Sequence, residues 1–295
     1  MTASRVLFDA PGPRGRRRIA ITTVLSAVLL VLLVLLALQR FSAHGELTAA
    51  KWRPFTQYAY LHFLLVGLLH TIEAAALAIA VSIPIGLVLA LVRLAPLRPL
   101  RIAAGAYIEL FRSVPLLLLI FFFLLALPRF GVSLPPFWLL VLPLIISNAA
   151  TLAEIFRSGI LSLERGQSEA AFSIGLTYAQ TMRLVVLPQA LRRLAPAVVS
   201  QLVATLKGTS LGYVVSYDEL LQSGRILGEF TQTLIQTYLV VALFYIVINI
   251  ALSRLACGLE VRQRRRGPVL ALHPPASAED VAVGVEGADA IARGR

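Results

Sequence analysis

The chain has 295 residues, of which 58% are hydrophobic and only 14% are charged. Soluble domains carry about 25% charged residues, so this composition excludes an ordinary soluble protein and indicates an integral membrane protein. The net charge of +12 comes from arginines beside apolar runs, a pattern of membrane topology rather than of nucleic-acid binding. A single cysteine, Cys257, excludes an internal disulfide and a cysteine-based zinc site, and the four histidines are scattered without metal-ligand spacing.

Six apolar stretches reach the roughly 20 residues that a helix needs to cross a bilayer. The second of them is too long for a straight span, so we expect it to begin at the membrane interface or to cross with a tilt. Together they predict an all-α integral membrane protein. The stretches are Ile19–Leu38, a segment within Leu61–Val92, Leu110–Leu127, Phe137–Phe156, Pro196–Val215 and Leu234–Ala256.

Arginine clusters predict the orientation in the membrane. Arg16, Arg17 and Arg18 precede the first span, and Arg264, Arg265 and Arg266 follow the last. Because Lys and Arg concentrate on the cytoplasmic side, both termini are predicted to face the cytoplasm. The resulting segments are a basic cytoplasmic N-terminus (1–18), an extracytoplasmic segment (39–60), a long cytoplasmic loop (about 158–195) and a basic, then disordered, cytoplasmic tail (261–295).

The long cytoplasmic loop is unusually polar and contains the run GQSEAAFSIGLTYAQTMRLVVLPQA. A short surface helix is expected around Glu169, ending at Gly175, because glycine accepts the left-handed conformation found at helix ends. Leu187-Pro188 is expected to close a second helical stretch, since proline obstructs helix continuation. Such a loop can offer a helix with a carboxylate to another protein, or it can be a plain connection lying on the membrane.

The spacing in this loop resembles the EAA loop of ABC-importer permeases. It reads Glu169-Ala170-Ala171, three residues, Gly175, nine residues, then Val185-x-Leu187-Pro188. Three further runs are similar to permeases for polar amino acids: EIFRSGI at 154–160, FRSVPL at 111–116 and LKGTSL at 206–211. The resemblance covers about residues 65–260. It implies a type I ABC importer permease fold with five core transmembrane helices in residues 61–260, to which the helix 19–38 is an addition.

The resemblance also implies the partners. Two permeases would form a pore, two cytoplasmic ATPases would grip the EAA helices, and an extracytoplasmic binding protein would deliver the substrate across a bacterial cytoplasmic membrane. The sequence has no G-x-x-x-x-G-K-[ST] motif, so ATP and Mg are expected on the ATPase, with no cofactor on this chain. No catalytic constellation argues for an enzyme. The residues expected to couple to the ATPase are Gly166, Gln167, Glu169, Ala170, Ala171, Gly175, Leu187 and Pro188.

Ionisable residues within the predicted spans are candidates for the translocation pathway. Lys207, one of only two lysines, is expected to pair with a substrate carboxylate or with a carboxylate of the bundle such as Glu73. Its neighbour Gly208 stands where the resembling permeases have Asp or Asn. For Glu154, an ion pair with Arg157, three residues along the helix, is favoured over a substrate contact. The remaining candidates are Thr209, Ser210, Asn148, Arg112 and Pro115.

The run GYVVSYDELL at 212–221 most resembles the glutamate-importing branch, which usually pairs two different permeases. Glutamate is therefore the expected substrate, with glutamine, aspartate, arginine and opine-type compounds open, and a homodimeric pore is the alternative to a heterodimer. A secondary transporter driven by an ion gradient is a second class of answer. Such folds often have two related halves, and the sequence shows no internal repeat. Neither that class nor a channel explains the EAA spacing.

Overall fold

The structure is a computed structural model that describes residues 12–266, which form helices and contain no strand. The predicted disordered tail from residue 267 onward lies outside the described residues. The helices are α1 (Pro13–Ala43), α2 (Ala49–Trp52), α3 (Tyr58–Leu94), α4 (Arg98–Ser113), α5 (Leu116–Ala126), α6 (Pro136–Leu161), α7 (Arg165–Ser173), α8 (Tyr178–Thr181), α9 (Leu187–Gly208), α10 (Leu220–Thr231) and α11 (Leu234–Arg266).

Within the described residues, five helical segments are long and apolar enough to cross a membrane. The bent pair of α4 and α5 makes a sixth if it is counted as one span. The long second stretch forms one continuous helix, α3, whose 37 residues extend for about 55 Å at roughly 1.5 Å per residue. A helix of that length exceeds the bilayer core of about 30 Å, so α3 must tilt or project beyond it.

The third predicted span, Leu110–Leu127, is not a straight helix. The chain breaks between α4 and α5, and the two helices are bent by 97°. Pro115 has no N–H to donate and disfavours the helical conformation for the residue before it. Val114 accordingly has the extended dihedrals φ −77° and ψ 123°. This proline therefore divides the span and does not merely kink it.

The centre of the bundle is the pair α3 and α6, which pack along the length of both helices. Gly86 allows their closest approach. A Cβ there would lie 2.8 Å from Leu152 Cβ and 3.0 Å from the carbonyl oxygen of Ala149. Small residues at helix contacts are the usual means of close packing in membranes, where water does not drive the helices together.

Helix α1 stands outside this bundle, and none of its residues is buried. The segment that follows it is fastened to the start of α11, where Gln236 Nε2 donates to the carbonyl and carboxylate oxygens of Glu46 at 2.6 Å and 3.0 Å. Lys51 Nζ lies 2.6 Å from the same carboxylate and lowers the pKa of Glu46 by its hydrogen bond. The apolar surface of α1 is thus not covered by the rest of the described residues, as expected for a helix added to a core.

Candidate functional site

The polar loop between α6 and α9 folds as two short helical pieces. Helix α7 ends where predicted, because Gly175 takes the left-handed conformation with φ +85°. The N–H of Gly175 donates to Phe172 O at 2.9 Å, and that of Leu176 donates to Ala171 O at 3.2 Å. These bonds satisfy carbonyls that the helix end would otherwise leave without partners.

The second piece differs from the prediction, because Leu187-Pro188 does not close a helical stretch. Pro188 lies at the start of α9, and the chain is helical from Tyr178 onward, with a π-helical segment at Met182–Val186 directly before it. Proline cannot donate to the carbonyl four residues earlier, and a wider turn accommodates the missing bond. Helix α9 therefore begins inside the predicted loop, at Leu187.

The capping of α8 was missed by the sequence reasoning. Thr177 and Gln180 form a capping box, in which the Thr177 N–H donates to Gln180 Oε1 at 2.9 Å and the Gln180 N–H donates to Thr177 Oγ1 at 3.4 Å. A Ser or Thr followed three residues later by Glu or Gln is a recognisable signal for a helix start, and Thr177 fits it.

The predicted coupling residues divide between the surface of the loop and its attachment to the bundle. Ala171 is buried, whereas Glu169 and Ala170 on the same helix are exposed. Gln167 accepts a hydrogen bond at 3.1 Å from Gln189 Nε2, so α7 is tied to the start of α9. Leu187 packs on the buried cluster of Ile160, Val186 and Ala190, and Pro188 and Gly166 are exposed.

Beneath α7 lies a cavity of about 520 Å³, which we call the loop cavity, between α7 and the ends of α3 and α6. Its lining includes Leu94, Ile160, Glu169, Phe172 and Met182. Within the described residues the Glu169 carboxylate takes part in no ion pair. A carboxylate beside an open apolar cavity can receive a cationic side chain whose stem packs on the apolar walls.

A second group of polar residues lies where α9 gives way to the 3-10 segment Thr209–Val215. Lys207 is exposed and lines a cavity of about 390 Å³ together with Ser210, Tyr245 and Asn249. Within the described residues Lys207 forms no ion pair, so the structure does not join it to Glu73, which is exposed on α3.

A larger cavity of about 820 Å³ adjoins the first, since both are lined by Ser210, Tyr245 and Ile246. Its lining also includes Arg225, Tyr213 and Tyr238. The two cavities together form what we call the cation face. Arg225 Nε is 2.9 Å from Glu229 Oε1, which leaves the other nitrogens of its guanidinium for other acceptors.

Sequence reasoning missed the tyrosines and the asparagine of α11, although a signal for them was present. Tyr238, Tyr245 and Asn249 are spaced by seven and four residues within an apolar span. That spacing puts all three on one side of a helix.

The other predicted pathway residues have mostly structural contacts. Asn148 Oδ1 accepts from Gln201 Nε2 at 2.8 Å, which ties α6 to α9, while its Nδ2 is buried with no partner among residues 12–266. Thr209 is fully buried and donates to Leu206 O at 2.7 Å, so it cannot face a substrate in this conformation.

Glu154 forms the local ion pair predicted for it. Arg157 Nε donates to Glu154 Oε2 at 3.0 Å, and Arg93 Nη1 lies 3.9 Å from the same oxygen. Arg112 is exposed at the end of α4. Pro115, described above, is the break point between α4 and α5.

The connection between α9 and α11 contains a buried glutamate. Glu219 is fully buried and caps α10 by accepting the N–H groups of Leu221 and Gln222, both at 2.8 Å. Tyr245 Oη also donates to it at 2.9 Å. Burial raises the pKa of Glu219 to about 7, while these hydrogen bonds act in the opposite direction. The glutamate of the YDELL run therefore supports the fold and holds a tyrosine of the cation face.

The chain matches the model of the family described as binding-protein-dependent transport system inner membrane component over residues 82–265. It is 36% identical to the glutamate transport system permease protein GluD of Corynebacterium glutamicum, over 77% of this chain and 84% of that protein. It is 40% identical to the probable glutamine ABC transporter permease protein GlnP of Bacillus subtilis, over 69% of this chain and 95% of that protein.

A similar relative is the glutamate/aspartate import permease protein GltK of Escherichia coli, at 34% identity over 68% of this chain and 94% of that protein. Among solved structures, the chain resembles a crystal structure of an amino acid ABC transporter with histidines, with a TM-score of 0.67 and 31% identity. The alignment covers 70% of this chain and 97% of that one.

These matches span the helices that hold both the polar loop and the cation face, and they confirm the importer family that the EAA spacing indicates. The chain therefore belongs to the family of binding-protein-dependent transport system inner membrane components, as a multi-span, non-catalytic permease subunit.

Proposed function

We propose that the chain is the membrane-spanning subunit of an ATP-driven importer that carries glutamate into the cytoplasm. The names of its relatives support an amino-acid substrate, and they divide between glutamate, glutamate with aspartate, and glutamine. The observation that favours an acidic amino acid is the cation face. It contains the exposed residues Lys207 and Arg225, and positive side chains in an open cavity favour a substrate with two carboxylates.

The proposed assembly has two permeases around one pore, two ATPase subunits on the cytoplasmic side and a binding protein on the outside. The two permeases are proposed to be different but homologous chains, and both termini of this one to lie in the cytoplasm, as the arginine distribution favours. ATP and Mg are used by the ATPase. The Glu169 carboxylate is exposed and has no ion pair within residues 12–266, which supports α7 as the contact to the ATPase.

The test is uptake of labelled glutamate by cells with and without this chain, with ion gradients collapsed and ATP maintained. Unlabelled aspartate, glutamine, arginine and histidine serve as competitors. We expect glutamate uptake to require the chain and to be inhibited mainly by aspartate. Unchanged glutamate uptake with loss of another amino acid would contradict the substrate, and uptake that stops with the gradients would contradict the ATP-driven mechanism.

A further inference from the structure

Three arginines from three helices surround a cavity at the end of the bundle that carries the loop. Arg93 is in the last turn of α3, Arg101 is in the first turn of α4, and Arg157 is near the end of α6. All three line a cavity of about 460 Å³, which we call the arginine cleft. Residues so far apart in sequence meet only because α4 packs against both α3 and α6.

The charges in the cleft are not balanced. Arg93 Nη2 is 2.8 Å from Glu109 Oε1, and Arg157 is bonded to Glu154. Each of these two arginines therefore has a carboxylate partner. Within the described residues, Arg101 has no ion pair and none of the hydrogen bonds involves its side chain.

One further donor in the cleft is shielded from solvent without being satisfied. Within the described residues, Arg93 Nη1 is buried and has no hydrogen-bond partner, and a carboxylate oxygen of Glu154 lies 3.9 Å away. Buried donors without an acceptor are costly, so a buried guanidinium N–H beside a cavity is suited to an anion. Gly105 leaves room on this side, since even an added Cβ would stay 3.8 Å from Arg93 Cζ.

Exposed aliphatic side chains lie next to the cleft-lining Arg101 at the start of α4. Ile102 lines the cleft with 60% of its surface exposed, and Leu97 and Leu100 at the start of α4 are 59% and 49% exposed. The cleft is lined by three arginines and by Glu109, which pairs with one of them, and aliphatic side chains lie beside it. This arrangement matches a ligand with an anionic head and hydrocarbon chains. Arginine binds phosphate oxygens through two parallel hydrogen bonds, and basic pockets between membrane helices bind anionic headgroups.

We propose that the arginine cleft binds the phosphate headgroup of an anionic phospholipid, with its acyl chains lying on the exposed aliphatic residues of α4. Topology alone explains why arginines gather at one end of the spans. It does not explain their convergence from three helices or the unsatisfied Arg93 Nη1. The proposal does not depend on which substrate the chain carries.

The arginine cleft lies next to the loop cavity. Leu94, the residue after Arg93, lines both the arginine cleft and the loop cavity. A bound headgroup would therefore lie beside the wall of the cavity that contains Glu169.

The experiment is native mass spectrometry of the purified transporter complex, titrated with phosphatidylglycerol and separately with phosphatidylcholine. We expect the wild-type complex to retain phosphatidylglycerol in preference. Arg101→Gln should weaken that binding about tenfold or more, because a charge-assisted hydrogen bond to phosphate is lost. Arg98→Gln is the matched control, since it removes the same charge from the same helix start, and Arg98 does not line the cleft. We expect less than a twofold effect from it.

Two further arms complete the test. Inorganic phosphate and glycerol 3-phosphate at millimolar concentration should compete poorly, and full displacement of the lipid by either would mean that the cleft takes a free phosphate. Equal retention of the two lipids, or equal losses for Arg98→Gln and Arg101→Gln, would overturn the proposal in favour of diffuse surface charge. If Arg101→Gln lowers the yield, Arg101→Lys provides a second variant. It keeps the charge and loses the planar fork, so it should show an intermediate loss.

Discussion

Two connections flank the helical segment Tyr178–Val215, and each of them carries a glutamate. Glu169, before the segment, is exposed and has no ion pair among the described residues. Glu219, after it, is fully buried and accepts three hydrogen bonds from the chain itself. Within the described residues, the Glu169 carboxylate thus forms no ion pair, whereas the Glu219 carboxylate stabilises the fold through its hydrogen bonds. Substitutions at the two positions should therefore separate loss of transport from loss of stability.

The largest effect is expected from Glu169→Lys. If the carboxylate contacts the ATPase, the reversed charge should abolish uptake and reduce co-purification of the ATPase by about 30-fold or more, as for an interface hot spot. The thermal stability of the permease should not change, because Glu169 forms no ion pair in the part of the chain that the structure describes. Glu164→Lys is the control, since Glu164 is also exposed beside α7. If the Glu169→Lys variant kept wild-type uptake and wild-type co-purification of the ATPase, the proposal that α7 contacts the ATPase would be contradicted.

A second substitution tests whether Lys207, like Glu169, is available to bind a ligand. Lys207→Met should lower the kcat/KM of glutamate uptake about tenfold or more, since a charge partner of the substrate is lost, without lowering stability. Lys51→Met is the matched control, because Lys51 is the other lysine and already pairs with Glu46. Full uptake by Lys207→Met would show that the cation face does not bind the substrate through this residue.

Glu219→Ala should act on the fold. It leaves the N–H groups of Leu221 and Gln222 and the Tyr245 hydroxyl without their acceptor, so we expect a loss of roughly 2–3 kcal/mol in the free energy of unfolding. Glu219→Gln keeps an acceptor for the backbone and should lose less. Unfolding in detergent, followed by circular dichroism, measures both variants. Equal stability of all three proteins would mean that the cap contributes little.

The smallest effect concerns the two glycines of the polar loop. Gly175→Ala should cost about 1 kcal/mol, because Gly175 has a positive φ that alanine adopts only with strain. Gly166→Ala should leave stability unchanged, since an added Cβ would meet nothing within 4 Å. Lost uptake in Gly166→Ala at normal stability would indicate close contact with a partner at that position. A stable Gly175→Ala would contradict the need for a left-handed residue at the end of α7.

Local rules predicted the features that depend on neighbours in sequence. Gly175 ends α7 as expected from its backbone freedom, and Glu154 pairs with Arg157 because residues three apart share a helix face. The same rules failed at Pro188. A proline only forbids one hydrogen bond four residues earlier, and the π-helical segment before it absorbs that loss without ending the helix.

The sequence alone predicts the helical membrane class and the importer family, because hydrophobic length and motif spacing are properties of the linear chain. The family match confirmed the importer class that the loop indicates. Only the tertiary structure decided which polar side chains remain free. The rotation of each helix against its neighbours determines whether Glu219 is buried and whether Lys207 meets Glu73. It also determines whether the three arginines of the arginine cleft meet. Those rotations follow from packing at contacts such as that of Gly86 with α6, between residues distant in the sequence.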